Sequence, residues 1–153
     1  MYVSVDQLKT LKLSATSTRI QSYWRWRIVI LQYRGKTIKG SWVVGHVSVV
    51  TNSSVGVKPG TYISNSFGMP FAYEVRPETV GQATGVYDKN TTEIYCDDIV
   101  KGLYGYDEIQ GPVEFMEGAF CIVVNGIGTL ISECNRTEIL GNIHDNAEVL
   151  LAH

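Results

Sequence analysis

The segment Glu78–Lys101, ETVGQATGVYDKNTTEIYCDDIVK, constrains the fold more than any other part of the chain. Its apolar residues come in short runs separated by turn formers. Val80 and Gly85-Val86-Tyr87 lead into the polar cluster Asp88-Lys89-Asn90, after which Ile94, Tyr95, Ile99 and Val100 resume the pattern. The spacing predicts β-strands joined by a tight polar turn, which is information about architecture and not about chemistry.

The same reading extends along the chain. Ser4, Asp6, Leu8 and Leu11 predict one short helix, Ser14–Thr18 a polar linker, and Ile20–Tyr33 a long strand rich in aromatic and β-branched residues. Gly35 and Gly40 bracket a hairpin connection, Trp42–Val50 is the return strand, and Thr51–Gly60 is a loop. Short strands follow at Tyr62-Ile63, Ala72–Val75, Gly85–Tyr87, Glu93–Tyr95, Ile99–Lys101, Val113–Phe115 and Phe120–Val124. Asn125-Gly126 suits a tight hairpin into Thr129–Ser132, and Asp145 is placed to cap a last helical turn through Leu150. Gly81, Gly85, Gly102, Gly105, Gly111, Gly118 and Gly141 supply the bends that a small barrel needs. The expected class is all-β, a barrel or paired small barrels of short antiparallel strands with at most short helices near the termini.

These residues also carry a resemblance. ETVGQ, the DKN turn, EIY and DIVK resemble the central motif of the YopX family of bacteriophage and prophage proteins. Tyr33–Val47 (YRGKTIKGSWVVGHV) is similar to its opening segment, Gly111–Val123 (GPVEFMEGAFCIV) to a following hairpin, and Glu138–Leu150 (EILGNIHDNAEVL) to its closing segment. The resemblance runs from Tyr33 onward and divides the chain into an unmatched extension, 1–32, and a YopX-like domain, 33–153. It implies an SH3-like barrel, a phage or prophage origin and no enzymatic activity. Two departures stand out: Thr91 follows Asp-Lys-Asn where the family carries Gly, and Cys96-Asp97 replaces Glu-Gly. Thr91 suggests a different turn type or a longer loop, whereas Asp97 tolerates the left-handed region better than most residues.

With 44% hydrophobic and 18% charged residues, the chain has the composition of a folded soluble domain. At this length it should bury about 70% of its unfolded surface, enough for a core without staples. It contains no run of about 18 apolar residues and Met1-Tyr2-Val3-Ser4 does not resemble a secretory leader, so no membrane association and a cytoplasmic location in a bacterial host cell are expected. Cys96, Cys121 and Cys134 are odd in number and widely spaced, and are expected as reduced core thiols; no metal site and no cofactor follow from their pattern.

Charge is bipolar. Residues 1–40 hold eight Lys and Arg against Asp6 alone, and the remainder holds five against fourteen acids. A basic surface concentrates polyanions, and oppositely charged ends also favour self-association. Within the basic part, the strand alternation of Tyr23-Trp24-Arg25-Trp26-Arg27 puts the tryptophans on one face and Tyr23, Arg25 and Arg27 on the other. The bland reading covers a core with the Trp face. The sharper reading makes Tyr23, Trp24, Arg25, Arg27, Arg34, Lys36 and Lys39 a surface for a nucleic acid or another partner, with cations on phosphates and aromatics stacked on bases.

Catalytic patterns are incomplete. His46-Val47-Ser48 is half of a His-x-Ser/Thr pair, and His144 is followed by Asp145-Asn146, so His46 reads as structural. Asp97-Asp98, Asp107-Glu108 and Glu114/Glu117 lack companion ligand spacing and read as a solvated acidic face. No Gly-rich phosphate loop occurs, no small-molecule substrate is evident, and no catalytic residue is assigned. The expected function is noncatalytic binding of a protein partner, whether a host factor, a defence component or a second copy, with a nucleic-acid-binding module as the alternative.

Overall fold

A computed structural model describes residues 31–53, 56–64 and 72–151, and the compact unit Leu31–His153 contains all of them. Among the described residues, eleven strands make two antiparallel sheets. In the first, β1 (Tyr33–Lys36), β2 (Trp42–Val50), β3 (Gly60–Ser64), β4 (Ala72–Val75), β5 (Gly81–Tyr87) and β6 (Glu93–Tyr95) lie in the order β4-β3-β2-β1-β5-β6. In the second, β7 (Asp98–Tyr104), β8 (Asp107–Met116), β9 (Ala119–Val124), β10 (Ile127–Leu130) and β11 (Asn135–Asn142) lie in the order β10-β9-β8-β7-β11.

Local turn chemistry accounts for the meander. Gly105 (φ 63) opens the two-residue turn from β7 to β8, and Glu117-Gly118 and Asn125-Gly126, all at positive φ, close the next two hairpins. Such turns match the right-handed twist of the strands they join. The core lies where the second sheet meets β5 and β6: Ile94, Val100, Val113, Ile122 and Ile131 are buried, with Val86, Ile109, Phe120 and Ile139 against them.

The two longest strands each change partner midway. β2 pairs with β1 through Gly45 and with β3 from His46, while β8 pairs with β7 through Pro112 and with β9 from Val113. A glycine stands beside each handover. A Cβ on Gly45 would lie 1.8 Å from the Ser64 carbonyl oxygen, and one on Gly111 would lie 2.1 Å from that of Val123. Gly111 is among the glycines expected at bends and Gly45 is not; at both, the absence of a side chain matters for close backbone approach and not for positive φ.

The all-β class holds, and closure into an SH3-like barrel or paired small barrels does not: among the described residues the strands form two antiparallel sheets that are not closed into a barrel. β6 is only three residues long, and its Tyr95 N–H is taken by the Asp98 carboxylate at 2.9 Å where a closing strand would have to bond. A second correction concerns Asp145. The last turn is a 3-10 turn over Ala147–Leu151, and Asp145 does not cap it, because its carboxylate is bound to Lys36 and Trp42. Of the expected Ile20–Tyr33 strand only Leu31, Gln32 and Tyr33 lie within the described residues; the first two precede the strand and Tyr33 begins β1.

The Asp88–Thr92 turn answers the question that Thr91 raises. The buried Asp88 carboxylate accepts N–H bonds from Asn90 and Thr92, each 2.8 Å, and Thr91 sits at φ 63 between them. Burial pushes the Asp88 carboxyl up, but the N–H groups of Thr92, Asn90 and Ile139 outweigh it and hold the group below its ordinary value. Thus the turn keeps a left-handed residue although the residue is β-branched, which costs about 1–2 kcal/mol. Thr91→Gly is expected to stabilise the protein by about 1 kcal/mol, after the extra unfolded-state freedom of glycine is subtracted, as read from the denaturant midpoint.

Candidate functional site

Chemistry-bearing side chains meet where β1 faces the β6–β7 turn and the loop after β11. Strand alternation turns Gly35 inward, where the Ile63 and Val75 side chains fill the space over it, and puts Arg34 and Lys36 on the opposite face with Trp42, the register partner of Lys36. The Arg34 guanidinium lies between two rings, 4.9 Å from the Trp42 centroid and 5.1 Å from that of Tyr95. One nitrogen pairs with Asp98 at 2.6 Å and another donates to the Cys96 carbonyl at 3.2 Å. This clasp ties the first sheet to the beginning of the second.

A second layer flanks it. Asn142 opens the loop by accepting the N–H groups of His144 and Asp145, both at 3.0 Å. Asp145 then binds the Lys36 ammonium with one oxygen and accepts from the Trp42 indole N–H with the other at 2.7 Å. His144 Nε2 lies 3.1 Å from Asp97, whose backbone N–H donates to Val113 at 2.9 Å and whose carbonyl accepts from Ile143 at 3.0 Å. Asp97 is at φ 69, in the left-handed region.

The electrostatics of the site follow from this packing. Burial pushes the Asp98 carboxyl above its ordinary value, against the opposing pull of the Arg34 guanidinium and the Tyr95 N–H. Tyr95 is raised to about 12 by burial and by the charge and hydrogen bond of Glu93. Asp145 is lowered to about 2, first by Lys36 and then by the Trp42 indole. Because the folded carboxyl titrates below its unfolded value of 3.8, the stabilisation by this pairing is complete above that value and is lost as pH falls toward 2. The Trp42 indole proton resonance is expected to titrate with a midpoint near pH 2, and to lose that transition in Asp145→Asn.

Nothing in the clasp is an activated nucleophile. Burial raises the Cys96 thiol, and burial together with Glu133 raises that of Cys134, so both are held in the neutral form. All three cysteines are unbridged. Cys121 is buried as expected, whereas Cys96 and Cys134 are only half-buried. His46 is exposed on β2. Of the carboxylate pairs expected on a solvated face, Glu114 and Glu117 are exposed, but Asp98 is buried because Arg34 and the Tyr95 N–H replace its water.

The sequence-derived surface residues separate. Tyr23, Trp24, Arg25 and Arg27 fall outside the described residues, Arg34 and Lys36 are ion-paired in the joint, and Lys39 is exposed in the β1–β2 turn. A cleft of about 280 Å³ lies elsewhere, on β7, β8 and β11; Lys89–Glu138 (2.7 Å) and Lys101–Glu108 (2.8 Å) line it together with Arg136. Sequence reasoning missed the clasp. Its signal was Asp98 standing directly before the apolar Ile99-Val100, a carboxylate that needs a cation once the strand is buried.

Two open, glycine-cornered sheets pinned by a stacked arginine–aspartate pair define an all-β domain whose central charges serve its own architecture. The model of the family described as YopX protein matches residues 33–151, so the chain belongs to the YopX family. Comparison with curated proteins gave no match. No helix among the described residues is long and apolar enough to cross a membrane.

Proposed function

We propose that this YopX-family chain is a noncatalytic phage or prophage accessory protein that binds a protein partner in the bacterial cytoplasm. The observation that carries the reading is the β7–β8 tip, where Tyr104 is 47% exposed and Tyr106 is wholly exposed astride Gly105. Tyrosines presented on a rigid two-residue turn offer apolar area and a hydroxyl with little entropy to lose, the composition of a protein-binding hot spot. In addition, Arg34 and Lys36 spend their charge on Asp98 and Asp145 and have little left for phosphates.

The alternative is a nucleic-acid module using Tyr23, Trp24, Arg25, Arg27 and Lys39. Titration with single- and double-stranded DNA at two salt concentrations separates the readings. Flat curves are expected, together with a protein complex from host cells that forms with the wild type and is lost in Tyr104→Ser/Tyr106→Ser. Micromolar affinity that falls steeply with salt and weakens in Arg25→Ala/Arg27→Ala would establish the nucleic-acid reading instead.

A further inference from the structure

Basic residues are scarce from Ser41 onward, five against fourteen acids, yet three of the five, Lys89, Lys101 and Arg136, line the cleft of about 280 Å³ on β7, β8 and β11. Two of them are occupied: Glu138 holds Lys89 at 2.7 Å and Glu108 holds Lys101 at 2.8 Å. Arg136 is exposed, and among the described residues no hydrogen bond, ion pair or ring contact holds its side chain. Three cations and two carboxylates leave the cleft with one positive charge, and the guanidinium is the group that carries it.

The backbone at Arg136 is also out of the ordinary. Asn135 pairs with Leu103 and Glu138 with Lys101, so three steps along β11 answer two along β7, and the extra residue makes a bulge. Arg136 takes φ 52 there, a conformation that such bulges normally give to glycine. Thr91, Asp97, Glu117 and Asn125 are the other described residues besides glycine at positive φ, and each lies between strands; Arg136 alone lies inside one. A bulge re-aims a side chain, and backbone strain of this kind gathers at sites that hold a ligand.

We infer that the cleft binds a single carboxylate, that of an Asp or Glu side chain on the protein partner, with Arg136 as the fork that receives it. The inference rests on the protein-binding reading and gives that partner its chemistry. A guanidinium presents parallel N–H donors that match the two oxygens of a carboxylate. One carboxylate neutralises the surplus charge, whereas a phosphate dianion would exceed it beside Glu108 and Glu138. A nucleic acid needs a row of unpaired cations, and the cleft has one. Its volume falls just below the range that takes drug-sized ligands, which suits a side chain and not a nucleotide. Leu103 adds apolar wall for the methylenes that precede the carboxylate.

Nuclear magnetic resonance titration of the full chain tests the site, with blocked acetyl-Leu-Glu-Leu-amide as the probe and its Gln counterpart, inorganic phosphate and single-stranded DNA as competitors. The wild type is expected to bind the Glu peptide with a Kd on the order of 1 mM, about tenfold or more tighter than the other three, and to shift the Arg136 Nε–H and the Gly102 and Leu103 amides. Arg136→Gly removes the fork and relieves the backbone, so it is expected to lose that preference while melting no lower than the wild type. Arg136→Gln, which keeps the strained backbone, is expected to lose the preference equally. An Arg136 Nε–H that does not move, a competitor that binds as tightly as the Glu peptide, or a preference that survives in both variants overturns the site. The tyrosine test remains separate: a partner complex that needs Tyr104 and Tyr106 and is untouched by Arg136→Gly keeps the protein-binding reading and discards this site.

Discussion

Arg34→Met should destabilise the protein by about 3–5 kcal/mol at neutral pH, the cost of removing one partner from a buried ion pair. Asp98 is 1% exposed, and without the guanidinium it keeps only the Tyr95 N–H to offset its lost hydration. The pH dependence makes the prediction specific. The ordinary carboxyl value is 3.8 and burial already raises that of Asp98, so losing Arg34 raises it further. A carboxyl whose folded value lies above its unfolded one binds protons more readily when folded. Its penalty is therefore absent below the unfolded value and grows as pH rises through the folded one. Urea unfolding should accordingly show Arg34→Met close to the wild type near pH 3 and far below it at pH 7, and Asp98→Asn added to Arg34→Met should remove most of that difference.

The second large effect is expected at Gly111, where β8 passes from β7 to β9. An alanine Cβ would lie 2.1 Å from the Val123 carbonyl oxygen and 2.9 Å from its carbon, both main-chain atoms that cannot rotate away. The strand must move, and it carries Val113, one of the fully buried core residues. Gly111→Ala is expected to cost about 3 kcal/mol or more, an overpacking penalty at the upper end of the usual range, seen as a fall in melting temperature. Gly118→Ala is the control: nothing lies within 4 Å of its Cβ, and its φ of 87° should cost only about 1–2 kcal/mol.

What the sequence disclosed was local. Trp42–Val50, Ala72–Val75 and Glu93–Tyr95 are strands with the expected bounds, because side-chain alternation and flanking turn residues specify them without help from the rest of the chain. Asn125-Gly126 likewise takes the two positive φ values that its chemistry favours. β11 was not legible as a strand, because Arg136 at φ 52 and two register shifts break its alternation. Sheet closure was not legible either, since it depends on whether the Tyr95 N–H meets a strand or a carboxylate.

The clasp was the least visible part, because it is assembled from distant residues. Arg34 and Cys96 are 62 positions apart, Trp42 and Asp145 are 103 apart, and nothing in a stretch of sequence couples them. Arg34 and Lys36 read in isolation as part of a basic run, and the acids that answer them belong to other elements. The summed charge of a segment describes its surface only if its charges are not consumed by partners across the fold.

That Arg34 and Asp98 act as one unit pinning the sheets is tested most directly by a double-mutant cycle of Arg34→Met and Asp98→Asn, with unfolding free energies measured at pH 7. The predicted coupling is about 2 kcal/mol or more, with the double variant more stable than Arg34→Met alone. Losses that add to within about 0.5 kcal/mol would contradict it and make the two residues independent.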